Sequence, residues 1–282
     1  MTNINVGRFG VWRRWQDLTP ELAKDIEDLG YGTIWIGASP SGDLEIAERL
    51  LAATDRIVIA TGIVNMWATP AEEAAASYHR LVGEYGDRFL LGAGIGHREM
   101  SEEYRTPYQT MVDYLDRLDA AKVPASGRAL AALGPKALRL AAERAAGAHP
   151  YLTTPEHTRK ARQEMGEGPL LAPEQKFVLD ADPERARAVA RANIGGSYLL
   201  LSNYTANLRR LGWSEEDIAD GGSDALVDAL VLHGDADAVA ARLGGHFEAG
   251  ADHVAVQPLF GDAGADPLPA LRELAAALKP AE

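Results

Sequence analysis

The sequence predicts an α/β fold, specifically a (β/α)8 TIM barrel with a helical insertion before the last βα unit. Three observations lead there. Eight short apolar runs alternate with helical segments. Several runs are apolar without a break, as parallel strands buried on both faces require. The chain has 282 residues, close to the roughly 250 of such barrels. Alternation of this kind implies crossovers and parallel pairing. The pattern can close into a barrel or stay open as a doubly wound sheet. No GxGxxG follows the first run, which removes the usual dinucleotide signature of the open sheet and favours the barrel. No linker or low-complexity stretch interrupts the chain, so 1–282 reads as a single domain.

The strand candidates, in order, are 6–12 (VGRFGVW), 33–37 (TIWIG), 56–64 (RIVIATGIV), 88–94 (RFLLGAG), 128–133 (RALAAL), 147–152 (GAHPYL), 176–180 (KFVLD) and 253–259 (HVAVQPL). Thr19-Pro20, Thr69-Pro70, Thr154-Pro155, Asp182-Pro183 and Asp266-Pro267 read as helix N-caps followed by proline in the first turn. Thr69 and Glu72 have capping-box spacing. Gly30, Gly86, Gly147 and Gly250 stand between a helical run and a strand, where a left-handed C-cap is common. Met111, Leu115 and Leu118 share one helical face, as do Leu268, Leu271, Leu274 and Leu278. Between the helices starting at Asp182 and Asp235, about forty residues show short helices and no strand. This 195–231 insertion covers the barrel mouth, forms an oligomer interface, or is a plain helical excursion.

Composition excludes several functions. There is no cysteine, so there is no disulfide framework, thiolate metal site or cysteine nucleophile. The net charge of −13 argues against nucleic acid, which needs a basic footprint. It leaves room for an anionic cofactor held by local donors. No run of eighteen apolar residues exists, so no membrane span is expected. The N-terminus lacks a basic-then-apolar signal pattern. The expectation is a soluble cytoplasmic protein.

In a barrel, chemistry sits at the C-terminal ends of the strands. The residues there include Gly37–Pro40, Ile63–Trp67, Gly94–Arg98, Leu133–Lys136, Tyr151–Thr154 and Gln257-Pro258. The ring holds no carboxylate pair and no cluster of histidines and aspartates. Ser39 has no evident base. What it offers is apolar and aromatic surface, glycine-freed amides and one imidazole, which suits a flat redox ring that brings its own chemistry. The turn Leu133, Gly134, Pro135, Lys136 runs from a strand into a helix. Amides at that helix N-terminus can bind phosphate, although an ordinary βα turn uses the same residues. His97 is the candidate acid or base over a ring, or else it is satisfied by the next helix N-terminus. His157 beside Thr154 faces phosphate or merely caps. His149, His233, His246 and His253 read as structural, and Trp12 and Trp67 either flank the mouth or pack.

These stretches together resemble the luciferase-like monooxygenase superfamily, and most of all its coenzyme F420-dependent, actinobacterial-type branch. The matching segments are YGTIWIG (31–37), ATGIVNMWATPAEEAA (60–75), GDRFLLGAGIGH (86–97), ALGPKALRLAAERAAGAHPYLTTPEHT (132–158) and EAGADHVAVQPL (248–259). They cover nearly the whole chain in order. The resemblance implies a (β/α)8 barrel, usually a homodimer, with a flavin or deazaflavin ring across the mouth. It implies cofactor contacts from Gly62, Ile63, Val64 and Asn65, with a non-prolyl cis peptide within Gly62-Ile63-Val64, Gly62–Ile63 being the first choice of bond. It assigns phosphate binding to Leu133, Gly134, Pro135 and Lys136, and contacts with the cofactor tail to the next strand end, Tyr151, Leu152, Thr153 and Thr154; His157, from its place in the first turn of the following helix, joins them as a candidate. The chain also departs from the pattern. Ala38 and Ser39 stand where several relatives keep an acidic residue and a histidine, and His97 stands where some have glutamate.

The reading that follows is an oxidoreductase moving a hydride between F420 and a small organic substrate, with His97 as acid or base. FMN-dependent monooxygenation on the same barrel is the near alternative. A protein that binds F420 or flavin without turnover is the alternative from another class. A lyase or aldolase lacks a convincing Schiff-base lysine at a strand end.

Overall fold

A computed structural model describes residues 4–96, 106–262 and 264–278. Eleven strands form the sheet: β1 (Phe9–Arg14), β2 (Thr33–Gly37), β3 (Val58–Thr61), β4 (Val64–Asn65), β5 (Phe89–Gly94), β6 (Arg128–Leu130), β7 (Gly147–Ala148), β8 (Leu170–Leu171), β9 (Glu174–Leu179), β10 (Val231–Gly234) and β11 (Val254–Pro258). Among the described residues, twelve α-helices connect or cover them: α1 (Pro20–Asp28), α2 (Glu45–Ala53), α3 (Ala71–Tyr85), α4 (Pro107–Ala120), α5 (Pro135–Arg144), α6 (Pro155–Met165), α7 (Pro183–Ile194), α8 (Ser202–Leu211), α9 (Glu215–Ile218), α10 (Asp224–Leu230), α11 (Ala236–Glu248) and α12 (Leu268–Leu278). No helix among the described residues is long and apolar enough to cross a membrane.

The strand order is β10-β9-β11-β1-β2-β3-β5-β6-β7-β8, with β4 also on β5. The pairings are parallel, for example Trp12 beside Trp35 and Trp35 beside Ala60. β8 and β9 are separated only by Ala172 and Pro173. Ala172 N donates to Ala148 O at 2.9 Å, and Ala255 N donates to Pro173 O at 2.9 Å. The segment from 170 to 179 therefore bonds at its start to β7 and beyond it to β11, near the two ends of the order. The result is a barrel-like parallel sheet ringed by helices.

Strand periodicity sorts the core into layers. On β2, Ile34 and Ile36 join the apolar layer under the helices, while Trp35 turns into the interior with Trp12, Ala60, Leu90 and Ala255. A third cluster holds the 195–231 segment. Leu199, Tyr204, Leu208 and Leu226 pack with Ile194, Leu152 and Leu259, so this segment lies against the C-terminal ends of the strands.

Several local expectations change. Thr19, Thr154 and Asp182 cap α1, α6 and α7 through their side chains. Thr69 does not cap α3, because its amide donates to Asn65 O in a turn and the helix starts one residue later, with Pro70 at the N-cap. The Thr69–Glu72 capping box is therefore not formed. Asp266 Oδ1 accepts from Leu268 N, where α12 begins. Gly147 is not a C-cap; it is the first residue of β7, and a Cβ there would lie 1.9 Å from Leu170 O. Its bare Cα is what lets β7 and β8 approach. The stretch read as strand-free contains β10, whose four residues pair with β9.

Candidate active site

At the C-terminal ends of the strands lies a cavity of about 760 Å³. Its floor is built by residues that end β1, β7 and β11. Trp12 crosses it because Gly37 has no side chain: a Cβ at Gly37 would sit 1.9 Å from the Trp12 ring. The Trp12 indole donates from Nε1 to Gly62 O at 3.1 Å and packs on Tyr151, with ring centroids 5.1 Å apart. The Gly62–Ile63 peptide is cis. Gly62, Ile63, Asn65, Ile95 and Met111 form one wall.

His149 also lines the cavity, which corrects its reading as purely structural. Its Nδ1 donates to Ala172 O at 2.7 Å, so Nε2 carries the lone pair. That Nε2 is buried without a partner among the described residues. Burial pushes the pKa down to about 3, so the ring is a neutral acceptor and cannot serve as an acid near neutral pH. Asn193 Oδ1, at the end of α7, is a second buried acceptor without a partner there. Ligand hydroxyl or N–H groups match both.

The opposite wall begins at Leu133 and Gly134. Gly134 is the N-cap of α5 and no side chain caps the helix, so its first amides remain as donors. Arg210, on α8, reaches this turn: its Nη2 lies 3.7 Å from where a Gly134 Cβ would be. Arg210 donates to Asn207 Oδ1 at 3.2 Å and has no carboxylate partner among the described residues. Desolvation lowers its pKa, although it keeps its charge at neutral pH. A helix N-terminus and a guanidinium converge here without a carboxylate partner among the described residues, an arrangement able to hold an anion.

Of the residues singled out by the sequence, Gly62, Ile63, Asn65, Leu133, Gly134 and Tyr151 line the cavity. Val64 is fully buried in the layer under the helices. Pro135 opens α5, and Lys136 is exposed on it. Thr153 is buried, and Thr154 is occupied in capping α6. His157 sits behind the turn: its Nε2 donates to Leu133 O at 2.9 Å, and burial lowers its pKa to about 4. It orients the Leu133 carbonyl rather than facing the cavity. His97 lies outside the described residues. Ala38 and Ser39 do line the cavity, so the departure from the polar pair falls within the site.

Sequence reasoning missed Arg210 and Tyr198, because nothing local in 195–231 shows which face meets the sheet, and Asn193, because nothing local in the last turn of α7 shows that it reaches the cavity. It also missed a fully buried ion pair, Lys176 Nζ to Glu174 Oε1 at 2.9 Å. Their i, i+2 spacing on a strand was the available signal, since it puts both on one face. No group of three or more histidine, aspartate or glutamate side chains positioned to hold a metal exists among the described residues.

The sequence matches the family model described as luciferase-like monooxygenase over residues 16–128 and 118–253. No curated protein matches the sequence significantly. Three similar solved structures illustrate the fold. An F420-dependent secondary alcohol dehydrogenase in complex with an F420–acetone adduct has a TM-score of 0.74 at 13% identity, covering 97% of this chain and 99% of that one. The coenzyme F420-dependent tetrahydromethanopterin reductase from Methanopyrus kandleri has 0.69 at 18%, covering 96% and 98%. The oxygenating constituent of 3,6-diketocamphane monooxygenase from Pseudomonas putida, in complex with FMN, has 0.67 at 16%, covering 96% and 97%.

Proposed function

The chain belongs to the luciferase-like monooxygenase family, and from that premise we propose that it is an oxidoreductase that uses coenzyme F420 to exchange a hydride with a small organic molecule. The observation that carries this is the convergence of Arg210 and the uncapped N-terminus of α5 at one end of a long, partly aromatic cavity. A flavin or deazaflavin is a flat ring joined by a polyol to a phosphate. The cavity supplies a fit for each part. Trp12, Ile63 and Met111 offer flat apolar surface, His149 Nε2 and Asn193 Oδ1 await hydroxyl or N–H donors, and Gly134 with Arg210 takes the phosphate. Such a cofactor supplies the redox chemistry, and the chain supplies position and proton transfer.

In this reading the sheet is a (β/α)8 barrel whose seventh strand is 170–179, and the helical segment 195–231 is the insertion that completes the cavity wall. F420 is preferred to FMN on the order and spacing of the motifs that resemble the F420-dependent branch. His97 is the residue after β5 assigned to proton transfer. Oxygen reactivity tests the choice. Purified protein supplied with reduced F420 is expected to bind it and consume no oxygen. Protein that ignores F420, binds reduced FMN and consumes oxygen is an FMN monooxygenase instead.

A further inference from the structure

A chain of hydrogen bonds runs from the cavity surface into the barrel interior. Tyr198 and Tyr151 both line the cavity, and their hydroxyl oxygens are 3.0 Å apart. Tyr151 Oη donates to Gln257 Oε1 at 3.0 Å. Lys176 Nζ donates to the same oxygen at 3.1 Å and to Glu174 Oε1 at 2.9 Å. Lys176 Nζ also lies 3.7 Å from the centroid of the Tyr151 ring and 5.3 Å from that of Tyr198. Lys176 and Glu174 are wholly enclosed, so the pair adds local polarity without net charge.

We propose that Tyr198 donates a proton to the oxygen of a carbonyl-bearing substrate, with Tyr151 resupplying it and Gln257 and Lys176 acting as positioning residues. The inference rests on the cofactor reading above, in which a reduced flavin or deazaflavin provides the hydride. The carbonyl carbon takes that hydride, and the C=O π pair moves to oxygen. The oxygen takes the Tyr198 proton. Tyr198 then takes the Tyr151 proton across their shared contact, as the Tyr151 hydroxyl turns from Gln257 Oε1 toward Tyr198. The Tyr151 phenolate then faces the Lys176 ammonium, which lies over its ring, until water returns the proton. The product is an alcohol, having gained one hydride and one proton.

Three features select this chemistry. Ala38 and Ser39 give their side of the cavity no carboxylic acid or imidazole and His149 is a neutral acceptor, so for a carbonyl oxygen the proposal puts Tyr198 in the acid role in place of His97, which lies outside the described residues. The tyrosines reach the cavity by an unbroken hydrogen-bonded path, the geometric requirement for proton supply. Burial raises the pKa of both phenols, so both hydroxyls hold their protons at neutral pH.

The probe is 4-nitrophenolate, an oxyanion of the expected size, compared with nitrobenzene, which has no hydroxyl oxygen. Both are titrated into the purified protein without added cofactor, with the phenolate absorption band as readout. Tyr198→Phe is expected to weaken 4-nitrophenolate at least tenfold and to change nitrobenzene less than twofold. Gln257→Leu is expected to shift the bound phenolate band while leaving nitrobenzene binding intact, which a purely structural role would not do. Failure of the wild type to bind 4-nitrophenolate overturns the proposal. So does equal loss, or no loss, of both probes in Tyr198→Phe. A separate titration of the same wild-type protein with F420 and FMN reads the cofactor proposal, so the two failures are told apart.

Discussion

The His149 ring lies flat against Trp35, with centroids 3.9 Å apart and planes 5° from parallel. The stack and the bond to Ala172 O fix the ring in the barrel interior, with Nε2 toward the cavity. Trp35 in turn donates from Nε1 to His253 Nε2 at 3.0 Å, so two neutral histidines and one indole form the interior layer beneath the site.

Buried neutral histidines, His149 and His253 in this layer and His157 and His246 outside it, are expected to make the fold acid-labile at mild pH. Burial lowers the pKa of His149 to about 3 and those of His157, His246 and His253 to about 4. In the unfolded chain each titrates near 6.5. The unfolded state therefore binds more protons below that value. Stability is full above about pH 6.5 and falls as pH drops toward 4, by up to about 1.4 kcal/mol per pH unit for each histidine. Denaturant midpoints between pH 7.5 and 4.5 check this. A flat profile would contradict it.

Gly37 is expected to tolerate no side chain. Gly37→Ala puts a methyl against the Trp12 ring, displacing the indole that bonds Gly62 O and packs on Tyr151. Overpacking of this kind costs about 1–3 kcal/mol. The thermal midpoint should drop, and cofactor affinity should fall by more than the stability loss explains, because Trp12 forms the floor.

The enclosed pair gives a third expectation. Lys176→Met leaves Glu174 buried without its cation and is expected to destabilise by about 3–5 kcal/mol. The double variant Glu174→Gln with Lys176→Met removes both charges and should recover much of that loss. Urea unfolding of the two variants checks the difference. Equal stabilities would show that the pair does not act as a unit.

Much of the barrel was legible because strand burial leaves a mark that residue types alone carry. TIWIG was placed at 33–37, where β2 is found, and its alternation of isoleucine with Trp35 separates the two layers. The turn at Gly134 was legible because proline and glycine at a strand–helix junction have local meaning. Arg210 and Tyr198 were not, since their positions depend on how Leu199 and Leu208 pack against Leu152, a contact between distant segments. Thr69 misled because Asn65 O competes for its amide. His149 misled because one satisfied nitrogen does not reveal where the other points.

In the proposed function, a phosphate-bearing flavin-type cofactor, preferably F420, seats its phosphate between Gly134 and Arg210. Equilibrium titration of the wild type and Arg210→Ala with F420 and FMN, followed by cofactor fluorescence, tests it most directly. The expected result is saturable F420 binding, tighter than FMN, that Arg210→Ala weakens by about 10–100-fold, the loss of one charge-assisted contact of about 1.5–3 kcal/mol. Saturable binding unaffected by the substitution, or no binding of either cofactor, would contradict the claim.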